Sequence, residues 1–258
     1  MDIERAASLL MEAETNKKPI EPFTSSAESI SVDEAYQIQL EVVRQKREMG
    51  ATIVGKKIGL TSKAMQEMFK VDKPDYGHLL DEMIYDEKSI ISLDSFIQPK
   101  IEFEIAFVLK KDLKGPGVTV EDVIEATDYV VPAAEIIDSR IKDWEIKFED
   151  TVADNGSSVG AIFGGNHCFL NDIDLPDVEM KVYKNGELIE TATGAAVLGD
   201  PINAVVWLAN ALGEYNIALH KGEKILAGAL AKAVAIQEGD EFEATFTDLG
   251  TVTAIFKK

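Results

Sequence analysis

The sequence predicts an α+β protein, with a small helical N-terminal part followed by a mainly β core. Apolar residues repeat at helical spacing up to about residue 50, and short apolar runs separated by glycine dominate after it. The chain of 258 residues is also long enough to bury a large core. We therefore expect a helical segment over residues 1–50 and a β-rich core over 51–258.

The helices are predicted from their start and stop signals. The first ends at the proline-containing breaker of residues 18–22. The second begins at Ser31, which forms an S-x-x-E capping box with Glu34. A late helix follows Asp200 as its N-cap, with Pro201 in the first turn.

The strands are predicted from short apolar runs rich in β-branched and aromatic residues. Their ranges are 52–60, 101–109, 129–137, 161–163, 179–183 and 241–246. Asn185 and Gly186 mark a tight hairpin turn after the fifth of these runs.

Charge and cysteine content restrict the partners and the location. A net charge of −20 argues against nucleic acid or an anionic membrane, because phosphate contacts need clustered lysine and arginine. The one cysteine, Cys168, excludes an internal disulfide and is typical of a reducing cytoplasm. The N-terminus reads as a helix rather than a signal peptide, and no uninterrupted apolar run approaches the roughly 20 residues of a membrane span. We expect a soluble, cytoplasmic protein.

Two carboxylates, Glu102 and Glu104, lie two residues apart at the head of the run 101–109. Side chains alternate along a strand, so these two share one face, about 6.5 Å apart. The run is apolar on both faces, which is typical of a buried strand, where two like charges are costly without a cation between them. The alternative is a strand whose first residues are simply solvated.

A third carboxylate, Glu135, lies inside the apolar run 130–138. A buried salt bridge would explain it about as well as a metal ion would. With Glu102 and Glu104, however, it makes three carboxylates on two core strands. Such an all-oxygen set suits Mg2+ or Mn2+ and leaves coordination positions open for substrate and water.

Lys57 is a candidate catalytic cation. It shares its strand face with Gly55 and Gly59, and their missing side chains leave room for a ligand beside the ammonium. The alternative is an ordinary surface lysine. Lys56 lies on the opposite face and is interpreted as structural or solvated.

The loop of residues 151–158 is dense in hydroxyl and amide groups. Such a loop is usually a turn, but after a strand that carries a metal ligand it could also donate hydrogen bonds to a substrate carboxylate. Phosphate-binding, dinucleotide-binding and nucleophile-elbow motifs are absent from the sequence. The three histidines are widely separated, so a zinc site is not favoured, and nothing points to a Cys–His nucleophile pair.

Several segments, taken in order, resemble the 2-oxopent-4-enoate hydratase / 4-oxalocrotonate decarboxylase family. The resemblance runs through residues 55–66, 74–77, 98–119, 135–158, 184–213 and 217–228. It implies a metal-dependent lyase of aromatic meta-cleavage catabolism, with a fumarylacetoacetase-like catalytic core built as a mixed β-sheet roll. Members are homo-oligomers, and some hydratases and decarboxylases of the pathway form complexes with each other.

The resemblance also implies residue roles. It makes Glu102, Glu104 and Glu135 the metal ligands, Lys57 a catalytic lysine, Asp75 its acid/base partner, and Leu60 with Ser157 or Ser158 the substrate contacts. The implied reaction is addition of water to 2-hydroxypenta-2,4-dienoate, which gives 4-hydroxy-2-oxopentanoate.

The alternative reaction is decarboxylation of 2-oxohex-3-enedioate, which can use the same residues. Hydration is favoured because an anionic Asp75 would repel a distal carboxylate and because Ala227 and Ala229 offer it no hydroxyl. A C–C bond hydrolase would need a base that activates water, commonly a His–Glu pair, and no histidine lies near a motif carboxylate. A non-catalytic partner subunit is disfavoured because Lys57, Asp75 and the glutamates are all present.

Overall fold

The computed structural model describes residues 1–25 and 29–258. The helices are α1 (Ile3–Asn16), α2 (Val32–Glu48), α3 (Lys63–Phe69), α4 (Val120–Ala126), α5 (Phe148–Ala153) and α6 (Pro201–Gly213). The strands are β1 (Ile53–Gly59), β2 (Asp75–Leu80), β3 (Ile84–Tyr85), β4 (Ile90–Ser92), β5 (Lys100–Leu109), β6 (Thr127–Ile137), β7 (Ser158–Phe163), β8 (Glu179–Lys184), β9 (Glu187–Thr193), β10 (Lys224–Ala229), β11 (Val234–Ala235), β12 (Glu241–Phe246) and β13 (Gly250–Lys257).

The strands form two mixed sheets. The larger has the order β2-β1-β10-β5-β6-β7-β3, with β11 also paired to β5, and the smaller has the order β4-β13-β12-β8-β9. Phe103 of β5 meets Phe242 of β12 with 6.3 Å between ring centroids, so the two sheets bury a common core. This architecture confirms the predicted α+β class.

The N-terminal helices pack on the β-rich part of the chain. Both lie within residues 1–50, and α2 begins at the predicted capping box, where Ser31 and Glu34 each accept from the other's backbone N–H. Their apolar faces share a buried cluster with Phe148 and Val152 of α5. The prediction that residues 1–50 contribute helices packed on the core therefore agrees with these contacts, while a domain boundary at residue 50 stays a prediction.

Two strands that border the site were not predicted. β2 and β10 flank β1, and each carries a glycine, Gly77 or Gly228, that interrupts its apolar pattern. The predicted runs also left out β3, β4, β9, β11 and β13, whereas each of the six runs overlaps a strand of the structure. Position in the sheet, rather than propensity, makes β2 and β10 strands.

The segment 194–213 is long and apolar enough, by length and composition, to cross a membrane. The sequence shows no uninterrupted apolar run of this length here, because Asp200 interrupts the segment. Within the segment, α6 spans 13 residues and buries Val205, Leu208 and Leu212 in the main core. This is the packing of a core helix.

Candidate metal and substrate site

The structure brings Glu102, Glu104 and Glu135 together. Glu102 and Glu104 share one face of β5, and Glu135 lies opposite Glu102 in the antiparallel pairing with β6. One carboxylate oxygen from each residue lies within 4.8 Å of the others. Glu104 and Glu135 are buried, and Glu102 is partly buried. Within the described ranges, 1–25 and 29–258, this is the one group of acidic, histidine or cysteine side chains spaced to hold a metal ion.

The oxygens of this cluster are mostly unsatisfied. Glu104 Oε2 accepts a hydrogen bond from the Gly228 N–H at 2.7 Å. Glu104 Oε1 and both oxygens of Glu135 find no hydrogen-bond partner in the described part of the chain. Buried carboxylate oxygens without donors are costly, so the cluster fits a hard divalent cation that would take these oxygens as ligands.

The pKa values of the three glutamates also indicate a cation site. Burial first, and then repulsion from Glu135, raise the pKa of Glu102 to about 7. Burial and the neighbouring glutamates raise the pKa of Glu104 well above its usual value. Burial also raises the pKa of Glu135, although Lys57 opposes that shift. A bound cation would favour the ionised form of all three side chains.

Lys57 lies beside the glutamates on β1. Its Nζ is 3.6 Å from Glu135 Oε2 and donates a hydrogen bond to the Gly156 carbonyl at 3.0 Å. Burial alone would lower the pKa of Lys57, but Glu135 and Asp75 more than offset this and hold the pKa above its usual value. The side chain is therefore a buried ammonium.

Asp75 reaches the same place from β2. It pairs with Gly59 of β1, and a Cβ on Gly59 would lie 2.1 Å from Asp75 Oδ1 and 3.2 Å from Lys57 Nζ. Gly59 therefore leaves the space that both side chains use. Burial raises the pKa of Asp75, while Lys57 opposes the shift, and Asp75 Oδ1 has no hydrogen-bond partner among the described residues. A buried carboxyl group whose pKa is raised and which lies beside a lysine is a candidate acid–base group.

Of these side chains, Lys57, Asp75 and Glu102 line one cavity of about 920 Å³. Its polar end carries Lys57, Asp75, Glu102 and Ser157, and its apolar wall includes Met65, Phe69, Ile137 and Leu230. Three further lysines, Lys100, Lys147 and Lys232, also line it and were not singled out from the sequence. A polar end with an apolar wall is typical of a site for a small organic acid.

Ser157 and Ser158, which the sequence did not distinguish, differ in position. Ser157 lines the large cavity, and its buried hydroxyl has no hydrogen-bond partner in the described part of the chain. Ser158 is the first residue of β7 and lines a separate cavity of about 320 Å³. Its hydroxyl lies close enough to Glu135 to lower the pKa of that carboxyl. The geometry therefore favours Ser157 as a substrate contact.

Leu60 also lines the large cavity, directly after β1. Its φ of 55° is left-handed, and its carbonyl accepts a hydrogen bond from Gln66 Nε2 at 2.9 Å. A left-handed leucine costs energy and is kept only where its surroundings fix it. Here it turns the chain from β1 into α3, whose Met65 and Phe69 form the cavity wall.

Sequence reasoning missed a buried ion pair behind the polar loop. Arg140 Nε donates to Asp154 Oδ1 at 2.6 Å, and both side chains are buried. Burial raises the pKa of Asp154 to about 6 although Arg140 opposes it. The sequence does place each of these two charged residues next to residues that are buried, and that position could have indicated the pair.

Lys56, interpreted from the sequence as structural or solvated, is structural. Its Nζ lies 3.2 Å from Glu223 Oε1, and both side chains are buried. Glu223 is 167 residues away in the chain, so no local pattern shows this pairing. Lys56 and Lys57 thus lie in separate environments on the two faces of β1.

The mixed sheet brings buried carboxylates, a lysine and an aspartate to one place, which is typical of an enzyme site. Comparison with known proteins also indicates an enzyme. The fumarylacetoacetate (FAA) hydrolase C-terminal family matches residues 36–256. The chain belongs to this family. The family membership and the fold expected from the sequence are therefore confirmed.

Individual relatives are similar along nearly the whole chain. A 2-hydroxyhexa-2,4-dienoate hydratase from Comamonas testosteroni is 44% identical over 256 residues, which cover 98% of this chain and 97% of that protein. A 2-keto-4-pentenoate hydratase from Paraburkholderia xenovorans is 44% identical and covers 98% and 94%. Among solved structures, 4-oxalocrotonate decarboxylase from Pseudomonas putida G7, complexed with magnesium and adipate, has a TM-score of 0.95 at 38% identity and covers 98% and 97%.

Proposed function

We propose that this protein is a metal-dependent lyase that adds water to 2-hydroxypenta-2,4-dienoate and gives 4-hydroxy-2-oxopentanoate. The observation that carries the proposal is that Lys57, Asp75 and Glu102 line a single cavity, while Glu104 and Glu135 lie directly beside Glu102 and Lys57. The names of the curated relatives, which are hydratases of short 2-oxo or 2-hydroxy dienoic acids, support it.

Glu102, Glu104 and Glu135 would hold the cofactor, for which we propose Mg2+ or Mn2+. When bound, such an ion supplies Lewis-acid stabilisation of negative charge on the substrate carboxylate and 2-oxygen. The unsatisfied oxygens of Glu104 and Glu135 support this assignment. The magnesium in the complexed decarboxylase structure supports the choice of a hard cation.

Lys57 provides positive charge at the reacting end of the cavity. Its ammonium is fixed between Glu135 and the Gly156 carbonyl, so it is already oriented before substrate arrives. It stabilises negative charge on the 2-oxygen while the enol loses its proton and becomes the ketone. The Ser157 hydroxyl, which has no described partner, donates to the substrate carboxylate.

Asp75 moves protons at the far end of the conjugated system. In the first step it delivers a proton to the terminal carbon, which gives a 2-oxo-3-enoate. In the second it accepts a proton from water as the oxygen attacks carbon 4, and carbon 3 takes a proton from solvent, which balances the enol proton released to solvent in the first step. The raised pKa of Asp75, caused by burial, supports both roles because it makes the protonated form easier to reach than in an exposed carboxyl group.

A second candidate is decarboxylation of 2-oxohex-3-enedioate. Lys100, Lys147 and Lys232 line the same cavity and could bind a second carboxylate. The adipate in the similar decarboxylase is a dicarboxylate of six carbons. Against it, the ionised form of Asp75 would repel a second carboxylate placed beside it.

The deciding experiment gives purified protein and Mg2+ each candidate substrate in turn. Loss of the dienol absorbance with formation of 4-hydroxy-2-oxopentanoate supports hydration. Carbon dioxide release from the diacid with the higher kcat/KM would reverse the proposal in favour of the second candidate. Lys57→Met serves as the control that ties either activity to this site.

We further propose a cytoplasmic homo-oligomer in which residues 1–50 contribute to a subunit contact. Leu40 of α2 is 40% exposed although the helix buries its other face. A complex with the partner hydratase or decarboxylase of the pathway is also consistent with such a surface. The single cysteine and the core packing of α6 support a cytoplasmic location.

A further inference from the structure

Asn155 clamps the backbone of β2. Its Oδ1 accepts a hydrogen bond from the His78 N–H at 2.7 Å, and its Nδ2 donates to the His78 carbonyl at 3.0 Å. Both ends of the amide are therefore bonded to one residue of a neighbouring strand, which fixes the orientation of the side chain.

The clamp holds an unusual backbone. Asn155, Gly156 and Ser157 are consecutive left-handed residues, with φ of 57°, 59° and 59°. Left-handed backbone is unfavourable for a non-glycine residue, so it persists only where the surroundings fix it. Close approach to β2 also needs Gly77, because a Cβ there would lie 2.4 Å from the Asn155 carbonyl oxygen.

The left-handed turn contacts Lys57 directly. The Gly156 carbonyl accepts the hydrogen bond from Lys57 Nζ at 3.0 Å. A Cβ on Gly156 would lie 3.1 Å from both Cδ and Nζ of Lys57, so the turn also packs along the lysine side chain. Position of the turn and position of the ammonium are therefore coupled.

We infer that Asn155 is a positioning residue that acts through Lys57. By pinning the turn to β2, it sets the Gly156 carbonyl where it aims the ammonium at the reacting end of the cavity. The inference rests on the proposed function in one respect, namely that Lys57 contributes to the chemical step. Asn155 itself needs no contact with substrate.

The turn has a second anchor, which makes the inference testable in a folded protein. Arg140 donates to both the carboxylate and the carbonyl of Asp154, the residue before Asn155. Loss of the Asn155 side chain therefore frees the turn from β2 without releasing the whole loop.

The test is a double-mutant cycle on Asn155 and Lys57. Asn155→Ala should lower kcat by about ten- to a hundredfold and change KM by less than about threefold, because misplacement of a charge affects mainly the transition state. In the Lys57→Met background the same change should lower kcat by less than about threefold, since residues that act as a unit are not additive. If Asn155→Ala lowers kcat by the same factor in the wild-type and Lys57→Met backgrounds, the inference is wrong.

Asn210 offers a matched control. This residue of α6 makes the same kind of clamp, with Oδ1 accepting from the Val118 N–H at 2.9 Å and Nδ2 donating to the Val118 carbonyl at 2.9 Å. It does not line the large cavity. Asn210→Ala should lower the thermal midpoint as Asn155→Ala does but keep kcat within about twofold of wild type. Equal kcat losses in both variants would show a general structural effect.

Failure of the proposed function can be distinguished from failure of the positioning inference. A wild-type enzyme that neither hydrates the dienoate nor decarboxylates the diacid with Mg2+ contradicts the proposed function. In that case a crystal structure of Asn155→Ala decides the positioning role. Displacement of the Gly156 carbonyl out of hydrogen-bond reach of Lys57 supports it, and an unchanged turn overturns it.

Discussion

Lys57 Nζ lies 3.6 Å from Glu135 Oε2, although two strands, β10 and β5, separate their own strands in the sheet. The two side chains reach toward each other across those strands, and Lys57 also lies close to the carboxylates of Asp75, Glu102 and Glu104. One buried ammonium cannot neutralise four carboxylates. A divalent cation would therefore balance the remaining negative charge and bind the free oxygens.

Removal of one carboxylate should weaken cation binding. Glu104→Gln should lose most activity at limiting Mg2+ or Mn2+ while remaining folded, because a neutral amide is a poorer ligand for a hard cation. Activity measured against metal concentration, with circular dichroism for folding, checks this. Glu243→Gln, at an exposed position of β12, is the control. Full activity of wild type after chelation would contradict the assignment.

The two adjacent lysines should behave differently. Lys57→Met should lower kcat by roughly a hundredfold or more, the usual scale for loss of an electrostatic or acid–base group. Lys56→Met should keep kcat close to wild type but lower thermal stability, because it leaves Glu223 buried without its partner. Steady-state kinetics and thermal unfolding separate the effects. Equal kcat losses would mean that the strand face was misassigned.

The stabilisation that Mg2+ confers should grow with pH. In the metal-free protein the pKa of Glu102 is about 7, above its usual 4.5, because of burial and Glu135. A raised pKa favours the folded state at low pH, and that contribution is lost as pH rises from the usual value through about 7. A bound cation takes the place of the protons on the glutamate cluster. The Mg2+-dependent rise in thermal midpoint should therefore be larger near pH 8 than near pH 5.5. A rise that does not depend on pH would count against the glutamate site.

The two serines should affect different steps. Ser157→Ala should raise KM by roughly ten- to a hundredfold, the cost of one hydrogen bond to a charged group. At saturating Mg2+, Ser158→Ala should leave KM near wild type, because its hydroxyl lies against Glu135 and the residue does not line the large cavity. Initial-rate kinetics at saturating Mg2+ measure both. A larger KM effect from Ser158→Ala would exchange the two assignments.

The protein should not be monomeric. Light scattering at micromolar concentration should give a mass well above the 28.2 kDa of one chain. Leu40→Glu should shift the equilibrium toward smaller species, since it places a charge on the exposed face of α2. A monodisperse monomer of wild type would refute the proposed assembly.

The sequence by itself determined the parts of the protein that depend on local rules. The α2 start follows from the capping box at Ser31 and Glu34, and period-two alternation places Glu102 and Glu104 on one face of β5. The buried run around Glu135 likewise identified a carboxylate that needs a partner. Hydrogen bonds and side-chain faces within a few residues suffice for each of these predictions.

Only the tertiary structure decided which distant groups meet. Two contacts join segments that are far apart in the chain, namely the pairing of Lys56 with Glu223 and the clamp of Asn155 on His78. The tertiary structure also places the adjacent residues Ser157 and Ser158 at different cavities. β2 and β10 are strands because β1 lies between them, not because of their composition. Such contacts depend on sheet order and on turn geometry, and neither is encoded in any short stretch of residues.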